Sequence, residues 1–296
     1  MNSDHSLGII VLLGIVALAL FGGARNSTPL LPSTSSQPVS AVQEQSNIQN
    51  EIRNTQVKTE ELKKQIQIEQ DKKTYSPYRD VVGLDYISRS DDPSKEHLAI
   101  RVSYNATGTI PVTGWVLKSK SSGVSVSIPK GTYLYFAGIV NSEENIVLLP
   151  NETLYIITGI SPNGASFKLN KCSGYLEQFQ TFTPYLGNNC PAPRTEDLSS
   201  IPKTSNNDAC LDHINSMPSC RIQTTNVPSN WSYECMNFIY NQVNYPSCVS
   251  SHRNDSDFYG KEWRVYLKRS EKIWKDRYEH VTLYDNNGKI VDEITY

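Results

Sequence analysis

The spacing of apolar positions changes three times along the chain, and each spacing predicts a different element. Leu7 to Ala24 (LGIIVLLGIVALALFGGA) has no period at all: it is continuously apolar or small and carries no charge. At about 1.5 Å per residue such a helix just crosses a bilayer core of about 30 Å. A transmembrane anchor is therefore expected within residues 1–25. No Lys or Arg precedes the apolar run, whereas a secretory signal peptide starts basic, so retention is favoured over cleavage near Ala24. A buried core helix fits poorly because the stretch has no polar face. Residues 26–40 (NSTPLLPSTSSQPVS) lack the apolar content to fold and read as a disordered Ser/Thr/Pro linker.

Over residues 41–76 the period becomes helical. Ile48, Ile52, Thr55, Thr59, Leu62 and Ile66 step by 4, 3, 4, 3 and 4, which is a heptad seam. Two of its positions are Thr, so the segment is expected to be either a weak coiled coil, with homo-oligomerisation through 41–73, or a single solvated stalk helix. Pro77 ends it.

From Val81 the period falls to two. In His97–Tyr104, Leu98, Ile100, Val102 and Tyr104 share one face, opposite Ala99, Arg101 and Ser103. Further strands are expected around Trp115–Leu117, Val124–Ile128, Thr132–Phe136, Ile146–Leu149 and Leu154–Thr158. The pattern resumes at Trp263, Val265 and Leu267, and His280–Tyr284 and Lys289–Ile294 flank Asp285-Asn-Asn-Gly288, a hairpin signal because Asn-Gly adopts positive φ at low cost. Short strands at this spacing predict a mainly β fold, a sandwich or barrel over residues 80–296. Trp115 and Trp263 are read as core anchors.

Between the two strand blocks, residues 170–260 are polar and read as a small helical insert. Asp208–Met217 and Ser232–Val243 are expected helices, the first capped by Asn207 or Asp208 and stopped by Pro218. All six Cys of the chain fall here, at 172, 190, 210, 220, 235 and 248. An even set without a CxxC pair reads as disulfides and hence as an oxidising compartment. If the two helices are antiparallel, nested bridges Cys210–Cys248 and Cys220–Cys235 are expected, with Cys172–Cys190 as the third. The domain after residue 25 is then extracytoplasmic, on a single-pass membrane protein.

The quoted segments are familiar in combination. Thr113–Ser119 (TGWVLKS), Ile128–Gly131 (IPKG), Leu149–Gly159 (LPNETLYIITG), Glu262–Leu267 (EWRVYL) and Val281–Asp292 (VTLYDNNGKIVD) resemble a lamin tail domain. Ser161–Gly164 (SPNG) with Phe167–Cys172 (FKLNKC) resembles the version found on membrane-anchored bacterial proteins. The resemblance implies an immunoglobulin-like β-sandwich that is non-catalytic and mediates interactions. The Cys-bearing insert departs from the compact form of that family, so no partner site is carried over.

Charge and chemistry add little. Lys plus Arg total 28 against 30 Asp plus Glu, a net charge of −2, which gives no footprint for nucleic acid. No phosphate loop, nucleophile elbow or metalloprotease motif occurs, and no cofactor or metal is implied. The one chemical constellation is Asp212 and His213 with His252, Asp255 and Asp257, a metal-dependent hydrolase site only if the two stretches converge. The expected function is therefore protein or surface-polymer interaction or scaffolding, with a hydrolase or a mechanical spacer as alternatives.

Overall fold

The computed structural model describes residues 39–296. The anchor expected at residues 7–24, and the linker up to residue 38, lie outside the described residues. Among the described residues no helix is long and apolar enough to cross a membrane.

Helix α1 is Val39–Thr74, 36 residues without Gly or Pro and with Lys72 and Lys73 in its last turn, where cations oppose the helix dipole. It begins two residues before the expected stalk and stops short of Pro77. The seam residues Ile48, Ile52, Leu62 and Ile66 remain about half exposed, at 47–59%. The hydroxyls of Thr55 and Thr59 donate to the carbonyls of Glu51 and Thr55, each at 2.7 Å. Exposed pairs such as Lys63–Glu60 at 3.2 Å and Lys72–Glu69 at 2.8 Å add only a few tenths of a kcal/mol each.

The strands follow as β1 (Val82–Ser88), β2 (His97–Val102), β3 (Ile110–Pro111), β4 (Val116–Ser119), β5 (Ser125–Ser127), β6 (Val147–Leu148), β7 (Thr153–Ile157), β8 (Phe167–Asn170), β9 (Tyr259–Tyr266), β10 (His280–Tyr284) and β11 (Ile290–Thr295). One five-stranded sheet has the order β1-β2-β7-β9-β8, and a four-stranded sheet the order β11-β10-β4-β5. The first is mixed, since β7 and β9 run parallel. The short pair β3-β6 stands apart.

The period-two rows meet in one core. Leu98, Ile100, Leu154, Ile156, Trp263 and Val265 come from the first sheet, and Leu117, Val126, Val281, Leu283 and Val291 from the second. Trp115 and Trp263 are both buried within it. Strand rows from before and after the insert thus share one interior, with β9 inserted between β7 and β8. The hairpin at Asp285–Gly288 forms as expected, joining β10 to β11 with Gly288 at positive φ. Two buried carboxylates hold the excursion after β9. Glu96 accepts from the N–H groups of Ile273 and Trp274, and Glu279 from those of Lys275 and His280 and from Ser119 Oγ.

Two expectations about class and strands are corrected. The mainly β expectation holds only in part: over the described residues strand and helix are about equally common, because the expected stalk helix α1 is long and the insert is helical. Thr132–Phe136 is not a regular strand and keeps only isolated bridges, Gly131 to Glu144 and Thr132 to Phe167.

The insert lies between Asn170 and Tyr259 and has its own apolar cluster. Phe182, Ile214, Phe238, Ile239, Val249 and Phe258 pack with all six Cys and with Ile157, Phe167, Leu169 and Tyr266 of the sheet. The five-stranded sheet is therefore shared by two cores. That is why β8 (FKLN) is buried at all four positions and shows no alternation of burial.

Within the insert, α2 is Ser205–Ser216 with Thr204 at its N-cap. Neither Asn207 nor Asp208 caps it; the Asn207 side chain instead donates to the Pro202 carbonyl at 2.7 Å. The second expected helix is split into α3 (Tyr233–Asn237) and one π-helical turn (Phe238–Gln242), and a further helix that was not expected, α4 (Tyr245–His252), follows it. Ser232 caps α3. The Asn244 side chain accepts from the Ser247 N–H at 2.9 Å and caps α4, with a Pro in its first turn.

The six Cys are all paired, but not in the nested order. The bridges are Cys172–Cys248, Cys190–Cys220 and Cys210–Cys235, with Cα separations of 5.9, 5.2 and 6.5 Å. The nested order treated Ser232–Val243 as one helix with Cys248 just past its end. The break at Asn244 starts α4, which carries Cys248 to the end of β8, where Cys172 follows Asn170.

Candidate functional site: a cleft between the insert and the sheet

A cleft of about 470 Å³ opens where the insert meets β8 and β9. Its walls come from four stretches of sequence: Leu169–Lys171 and Gly174, Tyr185–Gly187 with Asn189, Asp257, and Gly260–Glu262. Glycines keep part of the floor at backbone level. A Cβ on Gly174 would collide with Cys220 Sγ and would lie 2.6 Å from the Gly187 carbonyl, so the turn after Cys172 tolerates no side chain.

Arg264 of β9 fastens the Tyr185 wall. Its side chain is almost completely buried, 1% exposed, and lies over the Tyr155 ring at 4.4 Å. It donates to the carbonyls of Pro184 at 3.1 Å and Tyr185 at 3.2 Å, and it ion-pairs with Glu262 at 2.9 Å. The Tyr185 hydroxyl donates to Asn188 Oδ1, and its ring remains 54% exposed.

The opposite wall rests on Lys171. Its ammonium donates to Asp255 at 2.9 Å and Asp257 at 2.7 Å. Those hydrogen bonds push Lys171 above, and Asp255 and Asp257 below, their ordinary values. Asp255 also meets His252 Nδ1 at 2.8 Å, while His252 Nε2 meets Glu196 at 2.9 Å. Both ring nitrogens thus face carboxylates. Neutral imidazole has a single N–H and can satisfy only one of them, whereas imidazolium satisfies both. Burial lowers the His252 pKa, but the bonds to Glu196 and Asp255 outweigh it, and the net shift is upward from 6.5.

A group with a raised folded pKa stabilises fully below its unfolded value and loses that contribution as pH rises through the folded one. The insert is therefore expected to resist proteolysis best at about pH 6 and to lose a few tenths to about 1 kcal/mol above the raised pKa. His252→Gln should flatten that profile; an unchanged profile in the variant would show that the network does not titrate.

The structure gathers only three of the five residues of the sequence-derived metal constellation. His252, Asp255 and Asp257 come together through Lys171 and Glu196, which the spacing did not single out. Asp212 is exposed, and His213 is engaged elsewhere, with Gln223 at 3.2 Å and the Trp231 ring at 5.3 Å. Among the described residues no group of three His, Cys, Asp or Glu is placed to hold a metal ion. The hydrolase constellation is thus not assembled as expected. Tyr185 and Asn189 lie in no motif, Glu262 and Arg264 lie in the EWRVYL segment, which assigns them no chemistry, and only the fold brings them to Lys171.

No protein-family model matches the chain, and no curated protein matches it.

Proposed function

We propose that this chain is a non-catalytic interaction module, tethered to a membrane by residues 7–24 and working outside the cytoplasm, which engages a protein or surface polymer at the cleft. Its body is read as a lamin-tail-like, immunoglobulin-like sandwich. The two sheets around one core and the turn and strand segments that resemble that family support this reading. The pairing of all six Cys supports an oxidising compartment.

The observation that carries the function is the state of the cleft's acids. Asp257 is bound by Lys171, which holds it ionised, and Glu262 is paired with the buried Arg264. Both carboxylates are thus engaged by cations, and no Ser, Thr, Cys or His lines the cleft. Its side chains are arranged for contact.

The test is affinity capture with the full chain in native membranes. A Tyr185→Ala, Lys261→Glu variant is expected to recover its partner at least about tenfold less than the wild type, corresponding to about 1.4 kcal/mol or more. Lys118→Glu, on the other sheet, should recover it normally. Equal recovery by the cleft variant would remove the cleft from the function.

A further inference from the structure

We propose that the occupant of the cleft is an uncharged carbohydrate, held by stacking on Tyr185 and by hydrogen bonds to the polar side chains around it; this rests on the cleft being the partner site. Three observations select that chemistry.

The first is charge. The lining holds two lysines, Lys171 and Lys261, and two carboxylates, Asp257 and Glu262. Lys171 is already shared between two aspartates, and Glu262 is paired with Arg264. A strongly anionic or cationic ligand would find no surplus of the opposite sign, and a like charge placed against either pair costs free energy.

The second is the backbone. A peptide added as a strand needs a row of free N–H and C=O groups. Here the N–H of Asn170 goes to Ser173 Oγ, that of Lys171 to the Phe258 carbonyl and that of Cys172 to Asn170 Oδ1. The Leu186 N–H is taken by Glu177, and Lys168 N–H by the Thr132 carbonyl. Strand addition has little to pair with.

The third is what is left over. Each of Asp257 and Glu262 keeps an oxygen not engaged in its ion pair, and the side chains of Asn189 and Lys261 make no hydrogen bond among the described residues. Beside them stands an exposed aromatic ring whose position is fixed by Asn188 and by the grip of Arg264 on its carbonyl. A sugar ring has apolar C–H faces that stack on such a ring and an equatorial belt of hydroxyls that both donate and accept. A fixed aromatic contributes contact area at low entropic cost.

The probes are hexasaccharides of β-1,4-glucose, α-1,4-glucose and β-1,4-N-acetylglucosamine, with polygalacturonate as an anionic comparison. Each is titrated into the detergent-solubilised full chain and followed by calorimetry. The expected result is binding of at least one neutral hexamer in the micromolar to millimolar range, weakened tenfold or more by Tyr185→Ala and retained by Tyr185→Phe. The circular dichroism of each variant should match the wild type.

Three results overturn the inference: no neutral hexamer binds, polygalacturonate binds more tightly than every neutral hexamer, or Tyr185→Ala binds as the wild type does. If partner capture depends on the cleft while no neutral hexamer binds, the interaction module stands and the carbohydrate falls. If a bound hexamer is cleaved, the carbohydrate stands and the non-catalytic reading falls.

Discussion

Replacing Cys172 and Cys248 together with serine is expected to cost the chain about 4–5 kcal/mol and to release the insert while the two-sheet core persists. This bridge spans 76 positions, the longest separation of the three. Loop-closure entropy gives about 4.5 kcal/mol for a loop of that size, against about 3.5 kcal/mol for the 25-position bridge Cys210–Cys235. It also fastens the insert at a sensitive place. Cys172 follows directly on β8 and on Lys171, so its loss frees one wall of the cleft. Both sulfurs are buried among apolar side chains, and serine hydroxyls there would add a desolvation cost. Limited proteolysis under non-reducing conditions checks this. The variant should be cut between residues 173 and 258 much faster than the wild type, while the core that buries Trp115 and Trp263 resists. Equal protection of the insert would show that packing alone holds it.

Lys168→Met should destabilise the chain by about 3–5 kcal/mol, and adding Glu152→Leu should restore most of that loss. Lys168 of β8 and Glu152, just before β7, form an ion pair at 2.6 Å with side chains only 5% and 4% exposed. The ammonium lies 5.8–6.0 Å from the ring centres of Trp263, Tyr133 and Tyr259. Glu152 accepts one further bond, from the Leu149 N–H at 3.2 Å. Removing the lysine strands a carboxylate in an aromatic enclosure, and removing both charges leaves a site that apolar side chains can fill. Urea unfolding of the single and double variants separates the two effects. A single variant as stable as the wild type would mean that Glu152 reaches water or takes up a proton.

These residues also show where the sequence was legible and where it was not. The rows Leu98–Val102, Trp263–Leu267 and His280–Tyr284 alternate because one face of each strand supplies apolar side chains to the two-sheet core, although the other face is largely covered as well, and the Asp285–Gly288 turn fixes its own hairpin. Strand β8 (FKLN) alternates over only four residues, too short a run to stand out, and both its faces are buried: Phe167 and Leu169 face one core while Lys168 sits beside Trp263 and Tyr133 on the other side. That the cysteines pair was readable from their number; how they pair was not. The connectivity depends on Asn244 capping a new helix, and a single cap moves Cys248 from one partner to another. The cleft was the least legible part. Its walls come from segments separated by up to about ninety residues; Tyr185 and Asn189 belong to no motif, and Lys171 and Glu262 fall in quoted segments (FKLNKC and EWRVYL) that carry no chemical signature. Of the candidate chemistry, the HRNDSD stretch around His252 did reach the site, as a charge network supporting its wall.

The most direct test of the whole account is peptide mapping of the native chain by mass spectrometry, digested without reduction and with free thiols blocked beforehand. Linked peptides joining Cys172 to Cys248, Cys190 to Cys220 and Cys210 to Cys235, with no blocked thiol, are the predicted result. Blocked cysteines at these six positions, or linkages in another order, would contradict it, because the walls of the cleft would then be held by something else.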